Sequence, residues 1–318
     1  MENTAAPLPI KSPALSKRQK ILRRLWSDRY LYLLILPGIT FFIIFSYAPM
    51  YGIVLAFKKY MVRDGILGSP WVGFSNFTYV FGTRDFWNAV RNTLAISFGR
   101  IITGFPVPII FALMLNELRS SKFRRVTQMV LYLPHFVSWI IVAALIYNLL
   151  SVTTGVLGKL MISLDKPPIG ILGNISYIRG LIYTSSIWKG AGWGTIIYLA
   201  AITAIDPTLY EAAMIDGAGR FRQIWHITMP GLAFAITINL ILTVGNVMDA
   251  GFDQIFQLYN PGTYAKADII DTYVYRIGLV NGRFEISTVV GLFKSVINCV
   301  LVLTANMLAK ALGQEGLY

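Results

Sequence analysis

An all-α, polytopic membrane protein with six transmembrane helices is the fold class that this 318-residue sequence predicts. Three observations predict it. Hydrophobic residues make up 55% of the chain and charged residues only 14%, with a mean hydropathy of +0.60, whereas a soluble domain carries about 25% charged residues. Six apolar runs each approach the ~20 residues that cross a hydrocarbon core of about 30 Å. Lys and Arg gather in two short flanks, as they do on the cytoplasmic side of a membrane.

The elements follow in chain order. Residues 1–29 form a basic tail with Lys17, Arg18, Lys20, Arg23 and Arg24. It lacks an apolar core, and no small-residue cleavage site follows the first run at signal-peptide length, so it reads as a retained tail. The first span covers residues 30–57 and holds Pro37 and Pro49. After it, WVGFSNFTYVF (residues 71–81) spaces its aromatics for an interfacial helix or turn. The second span is 92–115, and the loop behind it carries Arg119, Lys122, Arg124 and Arg125. The third, 128–150, contains Pro134; the fourth, fifth and sixth are 181–204, 231–249 and 285–308. Proline kinks are tolerated where neighbours or water satisfy the freed carbonyls, which suits either a moving pathway or plain structural bends.

The two basic flanks place both termini in the cytoplasm, as an even number of spans requires. Charge elsewhere is mixed, because outer segments also carry Lys58, Lys59, Arg63, Lys159, Lys166 and Lys266. A net charge of +13 would suit nucleic acid in a soluble protein; here topology accounts for much of it. Cys299 is the single cysteine, so no disulfide forms within the chain. Two histidines, His135 and His226, fall short of a metal cluster and have no nucleophile or carboxylate at a catalytic spacing. With no internal repeat or low-complexity linker, residues 30–318 read as one membrane domain.

A polar, punctuated stretch at about 206–230 interrupts this pattern between two apolar runs. Asp206 is a good N-cap and Pro207 a good first helical residue, which predicts a helix from about Pro207 to Ile215. Asp216-Gly217 then supplies a turn, because Gly accepts positive φ. A second short helix carries Arg220, Phe221, Ile224 and Trp225 and ends before Pro230. The result is a compact knob on the cytoplasmic face. Ala212, Ala213 and Ala218 let another backbone approach closely, and Glu211 and Arg220 orient the contact by charge.

The segment EAAMIDGAG, followed by a Met-Pro step at Met229-Pro230, resembles the coupling loop of permease subunits in bacterial ABC importers. The family usually has Leu where Met229 stands; both are apolar. The residues matching that motif are Glu211, Ala212, Ala213, Asp216, Gly217, Ala218 and Pro230. Two further segments, LILPGITFFIIFSYAPMYGIVLAFKKY and LYLPHFVSW, resemble the carbohydrate-uptake subgroup that imports longer or modified oligosaccharides, an alginate importer among them. The resemblance covers most of the chain from about Tyr30 onward. It implies a type I ABC importer permease fold in the bacterial inner membrane, with the loop inserted into a cleft of an ATPase subunit dimer. It also implies a second, different permease chain, an extracytoplasmic solute-binding protein and an oligosaccharide substrate, alongside membrane lipid and no nucleic acid. No GxxxxGK[ST] loop occurs in this sequence, so ATP and Mg are expected on the partner, with no cofactor, metal or catalytic residue here. Such importers work by alternating access, in which nucleotide biases two states differing by a few kcal/mol.

Polar residues inside spans are costly and face a cavity or another helix, which makes Arg100, Trp193, Tyr198, Asn239, Asn246, Asp249, Lys294 and Asn298 candidates for the substrate pathway. Aromatic stacking and amide hydrogen bonds favour Trp193, Tyr198, Asn239 and Asn246 for a sugar, and Arg100 and Lys294 counter carboxylates if the sugar is acidic, as alginate is. Interhelical hydrogen bonding explains the same residues without substrate. In the segment 251–284 and at its edge, Asp253, Asp268, Asp271 and Glu285 are candidates to receive basic patches of a binding protein. Two alternatives remain: a permease for a non-sugar solute, since the knob is shared across substrates, and a membrane-embedded enzyme acting on lipid-linked sugars. The enzyme would need paired acids at a membrane face, and the nearest grouping, Asp268 with Asp271, lacks metal-ligand company.

Overall fold

The computed structural model describes residues 26–311; the expected basic tail lies outside the described residues except for positions 26–29. Among the described residues every regular element is helical, and one isolated bridge joins Lys58 to Trp71. The chain divides into two units, residues 1–54 and 55–318.

The first unit contains α1 (Arg29–Phe42), which runs into a π-helical turn, Ile43–Tyr47, and a 3-10 stretch that begins at Ala48. Its side chains are apolar on every face, and α1 buries none of them. A helix apolar all round is a span rather than a surface helix.

In the second unit, α2 (Ser75–Gly82) carries the aromatic repeat. Its rings pack on one another: Phe57 stacks on Trp71 with centroids 5.6 Å apart, and Phe74, Phe77 and Phe81 continue the cluster towards Phe86 and Phe293. The next span begins earlier than its apolar run suggests. Helix α3 (Arg84–Gly104) has Asp85 in its first turn, where a carboxylate suits the dipole, and buries Phe86, Ala89 and Val90. After Phe105 it continues as α4 (Pro106–Asn116), with Pro at the first helical position.

Helix α5 (Ser121–Tyr132) is capped by Ser120, whose hydroxyl accepts from the Phe123 N–H. A 3-10 turn, Leu133–Phe136, follows, and α6 (Trp139–Leu150) leaves at 99° to α5. A short α7 (Val156–Ser163) leads to the long α8 (Ile178–Thr203), and α9 (Pro207–Ile215) departs from α8 at 70°. Helix resumes at Arg220 and passes through a π-helical turn, Ile224–Thr228, into α10 (Met229–Gly245). Helices α11 (Phe252–Leu258) and α12 (Ile270–Val274) precede the last long helix, α13 (Phe284–Ala311).

Four of these stretches are long and apolar enough to cross a membrane: Arg29–Phe57, Arg84–Asn116, Arg220–Gly245 and Phe284–Ala311. The total is six when each bent pair counts as one span. One expectation needs correction. The helix after the glycine turn does not end before Pro230; it runs through it. Proline lacks the N–H for the ladder and crowds the preceding turn, and here the ladder has already widened, with the Met229 N–H donating to the Ile224 carbonyl. A π turn absorbs the mismatch and keeps the helix continuous.

Three apolar clusters hold the second unit together. At one end Ile109 and Ala112 of α4, Tyr198 and Ile202 of α8, and Leu232 of α10 form a common core. At the other, Phe86, Val90, Ile286, Val289 and Val290 pack together with Met248 and Ile270. The third gathers Ile96, Ile178 and Ile182 around Ile255 and Ile269. The segment after α10 is fastened by polar groups as well: Asn92 Nδ2 donates to the Asp268 carbonyl at 3.0 Å, and Arg179 donates to Asn92 Oδ1 at 2.9 Å. Arg276 makes two bonds to the Asp268 carboxylate, at 3.0 and 2.6 Å, which raise its pKa further. Buried charges persist where they are paired in this way. Three acids expected to meet a binding protein are therefore taken up internally: Asp268 by Arg276, Asp271 by Lys294 at 2.5 Å and Glu285 by Arg283 at 3.6 Å.

Candidate functional site

Two places concentrate the chemistry, the knob and the break in the third span. In the knob, Asp206 Oδ1 accepts from the Thr208 N–H at 2.9 Å and Pro207 occupies the first position, so α9 starts as the sequence specifies. Gly217 sits at φ +72°, a region that a residue with a Cβ enters at a cost. The Ala218 N–H returns to the Ala213 carbonyl at 2.8 Å and closes the turn. The Tyr210 and Thr228 hydroxyls meet at 2.9 Å and tie α9 to the resumed helix.

Glu211, Ala212, Asp216 and Gly217 are exposed, and Ala213 and Ala218 are half-buried. Around them lies an apolar tip: Ile215 is 87% exposed, Phe221 89% and Trp225 70%, with Leu209 and Met214 beside them. Clusters of this kind mark an interaction surface. Arg220 turns back towards its own chain, where Nη1 meets Glu117 Oε2 at 3.2 Å. That contact brings the loop with Arg119 to the knob end of the bundle.

At the break in the third span, Pro134 and the 3-10 turn release carbonyls from the helical ladder. Lys189 of α8 answers them, with Nζ donating to the His135 carbonyl at 2.6 Å and reaching the Pro134 carbonyl at 3.5 Å. The His135 ring stacks on Trp193, with centroids 4.5 Å apart and planes within 4°. Phe136 meets Trp193 edge-on, and Lys189 lies 5.6 Å from the Trp139 ring centre. Gly192 makes the approach possible, since a Cβ there would fall on the Leu131 carbonyl. Trp193 itself is 45% exposed. The arrangement is an aromatic platform with an ammonium beside it, and Lys189 retains one donor beyond the two used at the break.

The other pathway candidates do not gather there. The Arg100 guanidinium bonds Gln254 Oε1, and Gln254 Nε2 donates to the Ile182 carbonyl and the Ser185 hydroxyl, both at 2.8 Å. Arg100 also borders a cavity of about 220 Å³ with Thr103, Tyr183 and Ser186. Tyr198 is 3% exposed, within the core of α4, α8 and α10. Asn239 and Asn246 donate to carbonyls of their own helix, Ala235 and Leu242. Asp249 and Lys294 come together with Asp271 around a cavity of about 540 Å³, and nearby Asn298 Oδ1 accepts from the Met248 N–H at 3.3 Å. Burial pushes the Asp271 carboxyl up against the pull of Lys294, and Asp271 Oδ2 is buried without a partner. Sequence reasoning missed Lys189; the signal available was Pro134, whose freed carbonyls need a donor from another helix. Among the described residues no group of three or more His, Cys, Asp or Glu is placed to hold a metal ion.

Residues 104–314 match the family described as the binding-protein-dependent transport system inner membrane component, and the chain belongs to that family. It is a multi-pass inner-membrane protein and a permease subunit of a carbohydrate ABC importer, a transport subunit rather than an enzyme. Among its relatives is the polygalacturonan/rhamnogalacturonan transport system permease protein YteP of Bacillus subtilis, 46% identical over 95% of this chain and 94% of that one. Protein LplB of the same organism is 45% identical over 92% of each. Among solved structures, a chain of a bacterial alginate ABC transporter, in complex with an alginate pentasaccharide-bound periplasmic protein, superposes with a TM-score of 0.86 at 38% identity, covering 94% of this chain and 100% of that chain.

Proposed function

We propose that this chain forms one half of the membrane pathway of an importer for acidic oligosaccharides, paired with a different permease chain and driven by a separate ATPase dimer that binds ATP and Mg. One observation carries the coupling role: a capped helix, a positive-φ glycine and a resumed helix leave Ile215, Phe221 and Trp225 exposed together at one corner of the chain. Exposed apolar clusters mark a contact surface, and a partner subunit is the contact that the coupling role requires. The knob and both termini are assigned to the cytoplasm, which agrees with Arg119 and its basic neighbours lying at the knob end.

The substrate class is supported by the relatives and by the span break. Polygalacturonan and rhamnogalacturonan contain uronic acids, and the neighbouring importer takes alginate, itself an acidic polysaccharide. Trp193 stacked on His135 offers a face for a sugar ring, and the Lys189 ammonium offers a charge-assisted bond to a carboxylate. The pair Asp271–Lys294 lies at another cavity and supports entry less directly, because that lysine is already neutralised. A binding protein delivers the sugar, and the cavity faces outward when ATP closes the dimer.

Uptake by the transporter reconstituted in vesicles tests this. Short galacturonate or alginate oligomers are expected to be accumulated in preference to neutral oligosaccharides of equal length, only with ATP inside. Equal uptake of neutral and acidic sugars contradicts the substrate class, and uptake without the ATPase contradicts the coupling.

A further inference from the structure

Two charges at the knob stand at unfavourable ends of their own helices. Glu117 is the C-cap residue of α4, where unpaired carbonyls make the end negative and repel a carboxylate. Arg220 opens the helical run Arg220–Gly245, where unpaired N–H groups make the end positive and repel a guanidinium. Each is stabilised by the other across a sequence separation of 103 residues, with Arg220 Nη1 at 3.2 Å from Glu117 Oε2.

Side-chain packing does part of this job, since Ile205 at the bend lies against Gly231 of the resumed helix. Behind the knob, between the end of α4 and the bend from α8 into α9, lies a cavity of about 350 Å³ bordered by Asn116, Glu117, Ile205, Pro207 and Gln223. Tyr210 and Thr228, whose hydroxyls meet at 2.9 Å, border the same cavity, and the ion pair stands at its Glu117 side.

We propose that Glu117 is a positioning residue. Its carboxylate draws Arg220 back against α4 and so sets the angle at which the knob meets the ATPase, an inference that rests on the knob being the docking element. The pair is partly exposed, at 55% for Arg220 and 35% for Glu117, and exposed pairs are weak. Docking that excludes water strengthens the Coulomb attraction and also incurs the cost of desolvating both groups. The pair joins motion of the knob to α4 as well as to α8 and α10.

The test uses the complete transporter in vesicles, with its ATPase and substrate-loaded binding protein, and reads uptake and ATP hydrolysis separately. E117Q is expected to assemble normally and to hydrolyse ATP, with uptake per ATP falling about fivefold, the upper range for an exposed pair. E117D is expected to retain most of the wild-type ratio. E117R sets two guanidinium groups together and is expected to be worse than E117Q. The exchange E117R/R220E restores attraction and moves both charges to favourable helix ends, so its ratio is expected to rise above that of E117R. An unchanged ratio in E117Q, loss of the assembled complex in E117Q, or no recovery in the exchange overturns the proposal. If the wild-type knob does not bind an ATPase at all, the coupling role fails first; if wild type couples and E117Q matches it, only the role of Glu117 fails.

Discussion

The knob and the span break are both helix–turn–helix corners, yet they are built in opposite ways. The knob is a local object. Asp206, Pro207, Gly217 and the Ala213–Ala218 bond lie within a dozen residues, and each acts on its immediate neighbours. The break at Leu133–Phe136 is completed from another helix, by a lysine 54 residues away and a tryptophan that stacks on its histidine. A corner closed by its own sequence is free to present an outer surface. One closed by a neighbour ties two helices together, and movement of either must re-pair the carbonyls that Lys189 satisfies.

Variants can break this contrast. The largest effect is expected from Gly217→Val, because a β-branched residue at φ +72° costs roughly 1–2 kcal/mol or more. ATP-driven uptake should fall about tenfold or more while the chain still inserts, as judged by its recovery in the membrane fraction; normal uptake would show that the turn tolerates another path. Next comes Lys189→Met, which leaves the His135 carbonyl unanswered and removes the ammonium. A hydrogen bond to a charged group contributes about 1.5 kcal/mol at the lower end of its range, so uptake of an acidic oligosaccharide should drop up to about tenfold, with Lys189→Arg partly active. If neutral-sugar uptake falls equally, the lysine is holding the break rather than meeting the substrate.

Trp193→Ala should be milder. Aromatic pairing contributes about 0.5–1.5 kcal/mol beyond burial, which corresponds to about a three- to tenfold rise in the KM for uptake with little change in ATP hydrolysis. Asp206→Ala, which removes an exposed cap, should give the smallest loss of the four, and Asp206→Ser should recover it. A larger loss from the cap than from the tryptophan would reverse the contrast between the two corners.

The same contrast decides what could be read from the sequence. Helix α9 was legible to the residue, since a cap, a proline and a glycine each act on adjacent backbone. Pro134 announced a bend but not its 99° angle, which depends on where α8 supplies Lys189 and Gly192. Pro230 misled, because a proline stops a helix only when the ladder cannot widen before it. Polar residues inside spans were visible as a class, yet their partners were not. Arg100 is bound to Gln254, Tyr198 lies in a core, and Asn239 and Asn246 fold onto their own helix. Composition marks such groups as constrained; only the packing says by what.

The central claim is that the knob is the point where another subunit takes hold. A photoreactive amino acid at Phe221, 89% exposed at the tip, tests it in the assembled transporter. The account predicts a single protein adduct, to the ATP-hydrolysing subunit, with a yield that changes when nucleotide is added. Adducts to lipid alone, in a preparation that still imports its substrate at the expense of ATP, would contradict it.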